Sequence, residues 1–263
     1  MYYDMHVHSK FSSDSEMTMA QGIESAISKN LSGLCFTDHI DIDFTGFEDW
    51  YDYDIDEYFK ETARMREIYP KFDILDGIEV GIQEHVLQPT IDKVSGHPYD
   101  FVICSTHLLR REDPYDPQFW VDHTDKIATY RDFTEEIYKN IQLFPDFSVL
   151  GHIDYHTRRA PFEDPCYYYK DYADILDEIF KFLIYNGKGL EVNSKSYRDH
   201  PMDPDILKRY KELGGEIVTL GSDGHNPDAI AIKFAEHAEL IKSWGFDYIA
   251  HFKKMQPVFE KIN

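Results

Sequence analysis

YYDMHVHS, residues 2–9, is a short apolar run that ends in two histidines one residue apart. If residues 3–7 form a buried strand, its side chains alternate between two faces, so His6 and His8 lie on the same face at its C-terminal end. Two neighbouring imidazoles make half of a metal site. For such a pair taken alone, a turn histidine beside a hydrogen-bonded core histidine explains the sequence at least as well.

The pattern of this first run is repeated along the chain, and the repetition decides between these interpretations. Five further apolar, strand-like runs end in residues that bind metals well. Those ends are Thr37-Asp38-His39, Ile78-Glu79, Ser105-Thr106-His107, Gly151-His152 and Ser222-Asp223-Gly224-His225. Core packing does not explain six strands that all end in potential ligands, so the sequence predicts a metal centre.

Strand and helix patterns alternate at intervals of about 30 residues, which predicts parallel strands joined by right-handed crossovers. Helical patterns cover residues 55–69 and 126–143, and a further helix is predicted from Asn226-Pro227-Asp228 through Trp244. Residues 247–252 form a predicted terminal strand. In a β/α barrel the βα loops open on the C-terminal face of the strands, so the ligands at the strand ends are expected to share one site.

The charge of the chain limits its partners. Its 263 residues include 27 lysines and arginines against 49 aspartates and glutamates, for a formal net charge of -22. Such a surface repels polyanions, so we expect neither nucleic acid nor an anionic membrane as a partner. The length suits one α/β domain over residues 1–263, with no linker or low-complexity tract.

Cysteine use and hydropathy indicate the compartment. Cys35, Cys104 and Cys166 are an odd number without CxxC spacing, and two of them fall in predicted buried strands, which suggests reduced thiols in a cytosolic protein. The first strand begins almost at the N-terminus, which leaves no signal peptide, and no apolar run approaches roughly 18 residues. We therefore expect a cytoplasmic protein, while the sequence leaves its oligomeric state open.

Glu79 lies within the apolar run Gly77-Ile78-Glu79-Val80-Gly81. Burying an unpaired charge there costs roughly several kcal/mol. A metal ion compensates that charge, and a salt bridge to arginine or lysine is the alternative. Asp14, in the loop after the first strand, is an ordinary loop aspartate when considered alone. Mixed imidazole and carboxylate ligands favour Zn²⁺, Mn²⁺ or Fe²⁺ over Ca²⁺ and Mg²⁺, without selecting among the three.

The order of these motifs, over nearly the whole chain, resembles the polymerase and histidinol phosphatase (PHP) superfamily. The resemblance implies an α/β fold of the distorted (β/α)7 TIM-like barrel type, with a centre of three divalent metal ions. It also implies nine ligands, which are His6, His8, Asp14, His39, Glu79, His107, His152, Asp223 and His225. Many superfamily members carry histidine where this chain has Asp14, and an aspartate oxygen still supplies a ligand atom.

The resemblance also implies how the ligands share the three ions. The implied grouping is His6, His8, Glu79 and Asp223 around the first ion, Glu79 bridging to a second ion with His107 and His152, and Asp14, His39 and His225 around the third. Within the superfamily, the free-standing length and the Ser-Thr-His and Gly-His-Ile-Asp stretches resemble the histidinol-phosphate phosphatases.

The activity implied by the resemblance is hydrolysis of L-histidinol phosphate to L-histidinol and phosphate in histidine biosynthesis. Phosphate monoesters hydrolyse very slowly without a catalyst, so the site has to supply hydroxide at neutral pH and stabilise anionic charge. A hydroxide that bridges two of the ions, with its pKa lowered toward about 7, is expected to attack phosphorus in line. The expected partner is therefore a small-molecule phosphate ester.

Residues outside the metal ligands are expected to hold the substrate. Arg198 and either Arg158 or Arg159 offer forked donors for the phosphate, with solvated surface arginines as the alternative. Ser194 is a further expected substrate contact. Arg158, Arg198 and the ligand Asp223 are the candidate catalytic residues.

The remaining parts of the substrate also need partners. The leaving alcohol requires either the third ion or a proton, for which His85 and His156 are candidates. The acidic and aromatic loop 41–51 is either a lid that binds the ammonium and imidazole of the substrate or a surface loop packed on the barrel wall.

Two other classes of function stay open. The first is a PHP phosphoesterase that acts on protein phosphotyrosine, another small phosphate ester or a nucleic-acid phosphodiester, although a nuclease would normally present a basic track. The second is a metal-stabilised scaffold without turnover. It is disfavoured because a structural ion site is usually closed and mononuclear.

Overall fold

The computed structural model describes residues 2–48, 50–195 and 202–262. Ten strands lie within these ranges. They are β1 (Tyr3–Val7), β2 (Gly33–Phe36), β3 (His39–Ile40), β4 (Asp73–Gly81), β5 (Phe101–Ser105), β6 (Val149–Leu150), β7 (Gly189–Asn193), β8 (Val218–Gly221), β9 (Tyr248–Lys253) and β10 (Gln256–Lys261).

Eight of the strands form a parallel sheet that curves into a barrel with seven strand positions. Their order is β1-β2-β4-β5-β6-β7-β8, and β3 continues the line of β2 along β4. The chain just beyond β8 meets β1 through a bridge between Gly224 and Val7, and the backbone N–H of His8 donates to the carbonyl of Gly224 at 2.9 Å. The sheet is therefore nearly closed, and the predicted distorted (β/α)7 barrel is confirmed.

Helices cover the outside of the barrel. They are α1 (Met19–Ser28), α2 (Ile55–Ile68), α3 (Leu87–Val94), α4 (Pro117–Asp122), α5 (Lys126–Leu143), α6 (Tyr169–Tyr185), α7 (Pro204–Glu212) and α8 (Phe234–Ser243). α5 shows why they form: Tyr130, Phe133 and Ile137 are buried at helical spacing, and the Asp125 carboxylate accepts from the backbone N–H of Ala128 at the first turn. Among the described residues, no helix combines the length and apolar character needed to cross a membrane.

β9 and β10 form an antiparallel hairpin that covers the N-terminal end of the barrel. Phe252 packs on Phe101 with ring centroids 5.2 Å apart and joins an apolar cluster of residues from the barrel strands. At the turn of the hairpin, the backbone N–H of Lys254 donates to Asp100 Oδ1 at 2.9 Å. The predicted terminal strand is confirmed as β9. The sequence does not predict β10, because the side chains of that strand are mostly exposed and carry no buried alternation.

The predicted helix from Asn226 begins instead at Phe234, so its first part is wrong. The reason is that tertiary contacts occupy the backbone groups that a helix needs. The Lys29 ammonium donates to three carbonyls of this segment, including that of Ile230 at 2.7 Å. Asp4 Oδ2 accepts from the backbone N–H of Ala231 at 2.9 Å. The segment is therefore an anchored loop.

Candidate metal centre

The inward-facing residues of the strands change from apolar to polar along the barrel. On β5, Phe101 lies in the apolar cluster while Ser105, at the other end, donates to Glu79 Oε1 at 2.7 Å. On β4, Leu75 joins the same apolar cluster and Glu79 follows it toward the C-terminal end. Because the strands are parallel, their polar ends meet on one face of the barrel.

Glu79 lies at the centre of this face and is fully buried. Its Oε2 lies 3.0 Å from His6 Nε2 and 3.1 Å from His39 Nδ1. Its Oε1 lies 3.1 Å from His107 Nε2 and 2.8 Å from His152 Nε2. Both oxygens therefore face imidazole nitrogens from different strands, an arrangement that suits a carboxylate bridging two cations.

Asp223 extends this group toward the cavity. Its Oδ1 lies 3.4 Å from His8 Nε2, 4.0 Å from His6 Nε2 and 3.4 Å from His225 Nδ1. His225 Nε2 lies in turn 3.0 Å from Asp14 Oδ2. Asp223 has φ 50°, in the left-handed region that aspartate tolerates better than most residues. All nine predicted ligands thus lie in one connected group.

The donor set fits a bound cation. His6 Nδ1 lies 2.6 Å from a carboxylate oxygen of Glu191, and His8 Nδ1 lies 3.1 Å from Ser12 Oγ. Each Nδ1–H can donate to its partner, which leaves the Nε2 lone pair for a cation whenever the ring is neutral. The two Nε2 atoms nevertheless lie 3.0 Å apart and face the Glu79 carboxylate. A divalent cation bound between these atoms would stabilise this arrangement, so the donor set fits a metal ion.

The electrostatics of the site favour the protonation states that a metal needs at Glu79 and His8. Burial would raise the pKa of Glu79, but His6 and His39 hold that pKa well below its usual value. Burial, together with the nearby His225 and His39, lowers the pKa of His8. An ionised carboxylate and a neutral imidazole are the forms that bind a divalent cation. At His6, Glu191 and Glu79 raise the pKa well above its usual value against the effect of burial, so a metal ion would displace a proton from that ring.

A cavity of about 830 Å³ opens beside the ligands. Arg158 Nη1 lies 2.8 Å from Asp223 Oδ2, and Lys195 Nζ lies 3.1 Å from Asp223 Oδ1, so two cations reach the cavity at the same carboxylate. Arg159 does not line the cavity, and its guanidinium lies 5.2 Å from the centroid of the Tyr115 ring. The geometry therefore distinguishes the two arginines that the sequence leaves equivalent.

The other predicted substrate contacts are Ser194, Arg198 and the loop 41–51. Ser194 is buried, does not line the cavity, and donates from its backbone N–H to the carbonyl of Gly221 at 2.8 Å. Arg198 lies outside the described residues. In the loop 41–51, Phe44 is buried while Phe47 is 37% exposed, and both line the cavity. This loop therefore packs on the barrel and also borders the site.

The geometry does not support either histidine proposed as a proton donor. His156 is buried between the rings of Tyr130 and Phe133, and burial lowers its pKa to about 3. His85 Nε2 lies 2.7 Å from Asp43 Oδ2 at the surface. Neither histidine lines the cavity.

The family model described as "PHP domain" matches residues 4–195. The chain belongs to the PHP domain family. Within it, the chain is 31% identical to the histidinol-phosphatase of Lactococcus lactis, over 96% of this chain and 95% of that protein. It is also 31% identical to the Clostridium acetobutylicum protein named "Probable histidinol-phosphatase", over 92% of this chain and 94% of that protein.

A solved PHP structure extends the likeness to the whole fold. It is the crystal structure of histidinol phosphate phosphatase from Lactococcus lactis, complexed with zinc, L-histidinol and phosphate. The TM-score is 0.91 at 30% identity, and the match covers 98% of both chains.

Two carboxylates of this PHP site contact predicted ligands but are not identified from the sequence when only residues at strand ends are considered. Asp41 Oδ1 lies 2.7 Å from His107 Nδ1, and Glu191 lies against His6. A carboxylate within the apolar run of β7 is the same signal that singles out Glu79, and it would have identified Glu191. Asp41 carries no such signal, because it lies in an acidic loop.

Proposed function

We propose that this chain hydrolyses L-histidinol phosphate to L-histidinol and phosphate in histidine biosynthesis. The observation that carries the proposal is the match over almost the entire chain to a phosphatase crystallised with L-histidinol and phosphate. The connected group of imidazoles and carboxylates beside a cavity supports it independently. The activity predicted from the sequence agrees with these observations.

The centre is proposed to hold three divalent metal ions, with zinc, which the Lactococcus lactis structure contains, as the first candidate. Glu79 would be shared between ions, because its two oxygens face different histidines. His8, His39 and His225 form a further group whose ligand atoms lie within 4.8 Å of one another. When bound, such ions make hydroxide available at neutral pH and neutralise phosphate charge.

The chain's own cations would complete the phosphate site. Arg158 offers a planar fork of N–H donors, and its side chain is only 8% exposed, so its position is fixed by packing. Lys195 approaches the same carboxylate as a point charge. We propose that both cations contact the phosphate, with Arg198 retained from the sequence as a further contact.

The alcohol half of the substrate matches an acidic and aromatic wall of the cavity. Glu112, Asp113 and Asp116 line that wall together with Tyr115. Carboxylates and aromatic rings suit an ammonium and an imidazole. The carboxylates also repel the phosphates of a nucleic-acid strand. The charge of the wall therefore favours histidinol phosphate over a phosphodiester.

Two broader predictions belong to the same proposal. Residues 1–263 are proposed to form a single phosphoesterase domain, since strands beyond the matched region complete and cover the barrel. A cytoplasmic location is proposed because Cys35, Cys104 and Cys166 are all free thiols.

Phosphate release tests the proposal. L-histidinol phosphate would be compared with phosphotyrosine, p-nitrophenyl phosphate and a phosphodiester, using protein purified without chelator and with its metal content measured. A strong preference for L-histidinol phosphate supports the proposal. Equal or faster release from another ester keeps the metallo-phosphoesterase and rejects the substrate.

The two neighbouring arginines provide a matched pair for the same assay. Arg158→Met is expected to lower kcat/KM by about a hundredfold, because it removes charged donors beside the reacting phosphate. Arg159→Met is expected to leave kcat/KM near the wild-type value, since that side chain lies outside the cavity. Equal losses in both variants would contradict the assignment of Arg158.

A further inference from the structure

Glu191 is a buried carboxylate that is neither a predicted ligand nor a substrate contact. On β7, Leu190 and Val192 pack outward in the core beneath the helices, so Glu191 faces the barrel interior, where it is 2% exposed. A charge in this position is unfavourable unless donors surround it. The neighbours of the Glu191 carboxylate therefore indicate its role.

Both oxygens of Glu191 contact predicted metal ligands. Oε1 lies 2.6 Å from His6 Nδ1. Oε2 accepts from the backbone N–H of His152 at 2.7 Å and from Asn193 Nδ2 at 3.2 Å. One carboxylate thus joins a ligand on β1 to the ligand that follows β6.

Gly221 makes the contact with His6 possible. β8 pairs with β7, and the chain just beyond β8 meets β1, so the Glu191 side chain has to cross β8 to reach His6. A Cβ atom at Gly221 would overlap both Glu191 Oε1 and the Cβ of His6. A glycine at this position of β8 leaves the space that the carboxylate uses.

The contact also decides which nitrogen of His6 binds the metal. Because Nδ1–H donates to Glu191, the lone pair is left on Nε2. That Nε2 lies 3.0 Å from Glu79 Oε2 and 3.0 Å from His8 Nε2. The second oxygen of Glu191 fixes the backbone from which the His152 ring reaches Glu79.

We propose that Glu191 is a positioning residue of the metal centre, which accepts from His6 Nδ1–H, fixes the backbone of His152, and thereby sets the affinity of the centre for metal ions. This inference rests on the metal centre of the proposed function and is independent of the substrate. Metal binding is therefore measured without substrate.

Glu191→Gln tests the proposal with almost no change of shape. The glutamine side chain has one carbonyl acceptor, whereas His6 Nδ1–H and the His152 backbone N–H both need an acceptor. Either the His152 N–H loses its partner or the glutamine NH₂ donates to His6 Nδ1 and moves the ring proton to the ligating nitrogen. The metal affinity from chelator competition is expected to fall by about ten- to a hundredfold. In the zinc-loaded protein, the ¹⁵N shift of His6 Nδ1 is expected to change in this variant, because its hydrogen-bond acceptor is no longer a carboxylate.

Asp76→Asn is the matched control. Asp76 is also a buried carboxylate within a strand, but it lies nearer the other end of β4 and pairs with Arg66 at 2.7 Å. This variant is expected to lower the melting temperature without changing the metal affinity. Unchanged affinity in Glu191→Gln, or an equal loss in Asp76→Asn, overturns the proposal.

A milder variant keeps the test valid if Glu191→Gln does not fold. Asn193→Ala removes one donor to Glu191 and is expected to weaken metal binding by less than Glu191→Gln. Wild-type affinity in Asn193→Ala would then overturn the proposal. Wild-type protein that binds no metal would instead reject the proposed function, so the two failures are distinguishable.

Discussion

At the N-terminal end of the barrel, Phe252 of the hairpin packs on Phe101 in a cluster of apolar side chains. At the C-terminal end, the same strands bring Glu79 close to imidazoles from several strands, and buried groups such as Asp223 and Glu191 surround it. The first end is held together by apolar burial. The second concentrates charges that are costly to bury unless they are paired.

The two ends of the barrel therefore contribute differently to stability and to chemistry. Apolar packing at the covered end contributes to folding without any bound ion. The open end contributes favourably only when its lone pairs and charges find cations, so it is the end at which folding and metal binding are coupled. Substitutions at the two ends are therefore expected to affect different measurements.

The largest effect on activity is expected from Glu79→Gln at the open end. The neutral amide cannot offer two anionic oxygens to different ions, so we expect kcat/KM to fall by about a thousandfold, roughly 4 kcal/mol of transition-state stabilisation. Steady-state kinetics with parallel metal analysis measure the loss. Glu178→Gln, an exposed position on α6, is the control and is expected to behave as wild type. Near-normal turnover with a full metal complement in Glu79→Gln would contradict the role of Glu79 in the metal centre.

Phe252→Ala tests the covered end. The side chain is 1% exposed, and its truncation is expected to lower the free energy of unfolding by about 3–5 kcal/mol. Denaturant unfolding of the metal-free protein measures this change. Metal content and KM of the folded variant are expected to match wild type, because the affected cluster lies at the far end of the strands. A change in metal affinity would show that the two ends are coupled.

The sequence predicts most of the fold and the ligand set, because both depend on local patterns. Strands that end in histidine or carboxylate are visible in one dimension, and parallel topology brings these ends together. His6, Glu79 and Asp223 could therefore be chosen without any structure. Their assignment as ligands stays a prediction.

Features that depend on distant neighbours could not be predicted in this way. The segment after Asn226 has helical propensity, but its backbone carbonyls and N–H groups form hydrogen bonds with Lys29 and Asp4 from the other end of the chain. Arg158 and Arg159 are adjacent in sequence, and only packing shows which one reaches the cavity. The contact between Glu191 and His6 depends on the space that Gly221 leaves on β8. The identities of Glu191 and His6 do not predict that space.

The smallest change in stability is expected at His156. It lies close in sequence to the ligand His152, but it is buried among aromatic rings and both its ring nitrogens lack a hydrogen-bond partner among the described residues. Burial lowers its pKa to about 3, compared with a usual value of 6.5. The native state therefore keeps this ring neutral between those values while the unfolded chain takes up a proton. Stability from this group is present above pH 6.5 and is lost as the pH falls toward 3.

His156→Phe removes this titration. Between about pH 7 and about pH 5, metal-free wild type is expected to lose about 2 kcal/mol more unfolding free energy than the variant. Urea unfolding of both proteins at the two pH values measures the difference, which cancels the titration of the ligand histidines that they share. The variant is expected to keep its kcat, because the ring does not line the cavity. Equal acid sensitivity of wild type and His156→Phe, or a large loss of kcat in the variant, would contradict the assignment of His156 to the apolar packing of the barrel.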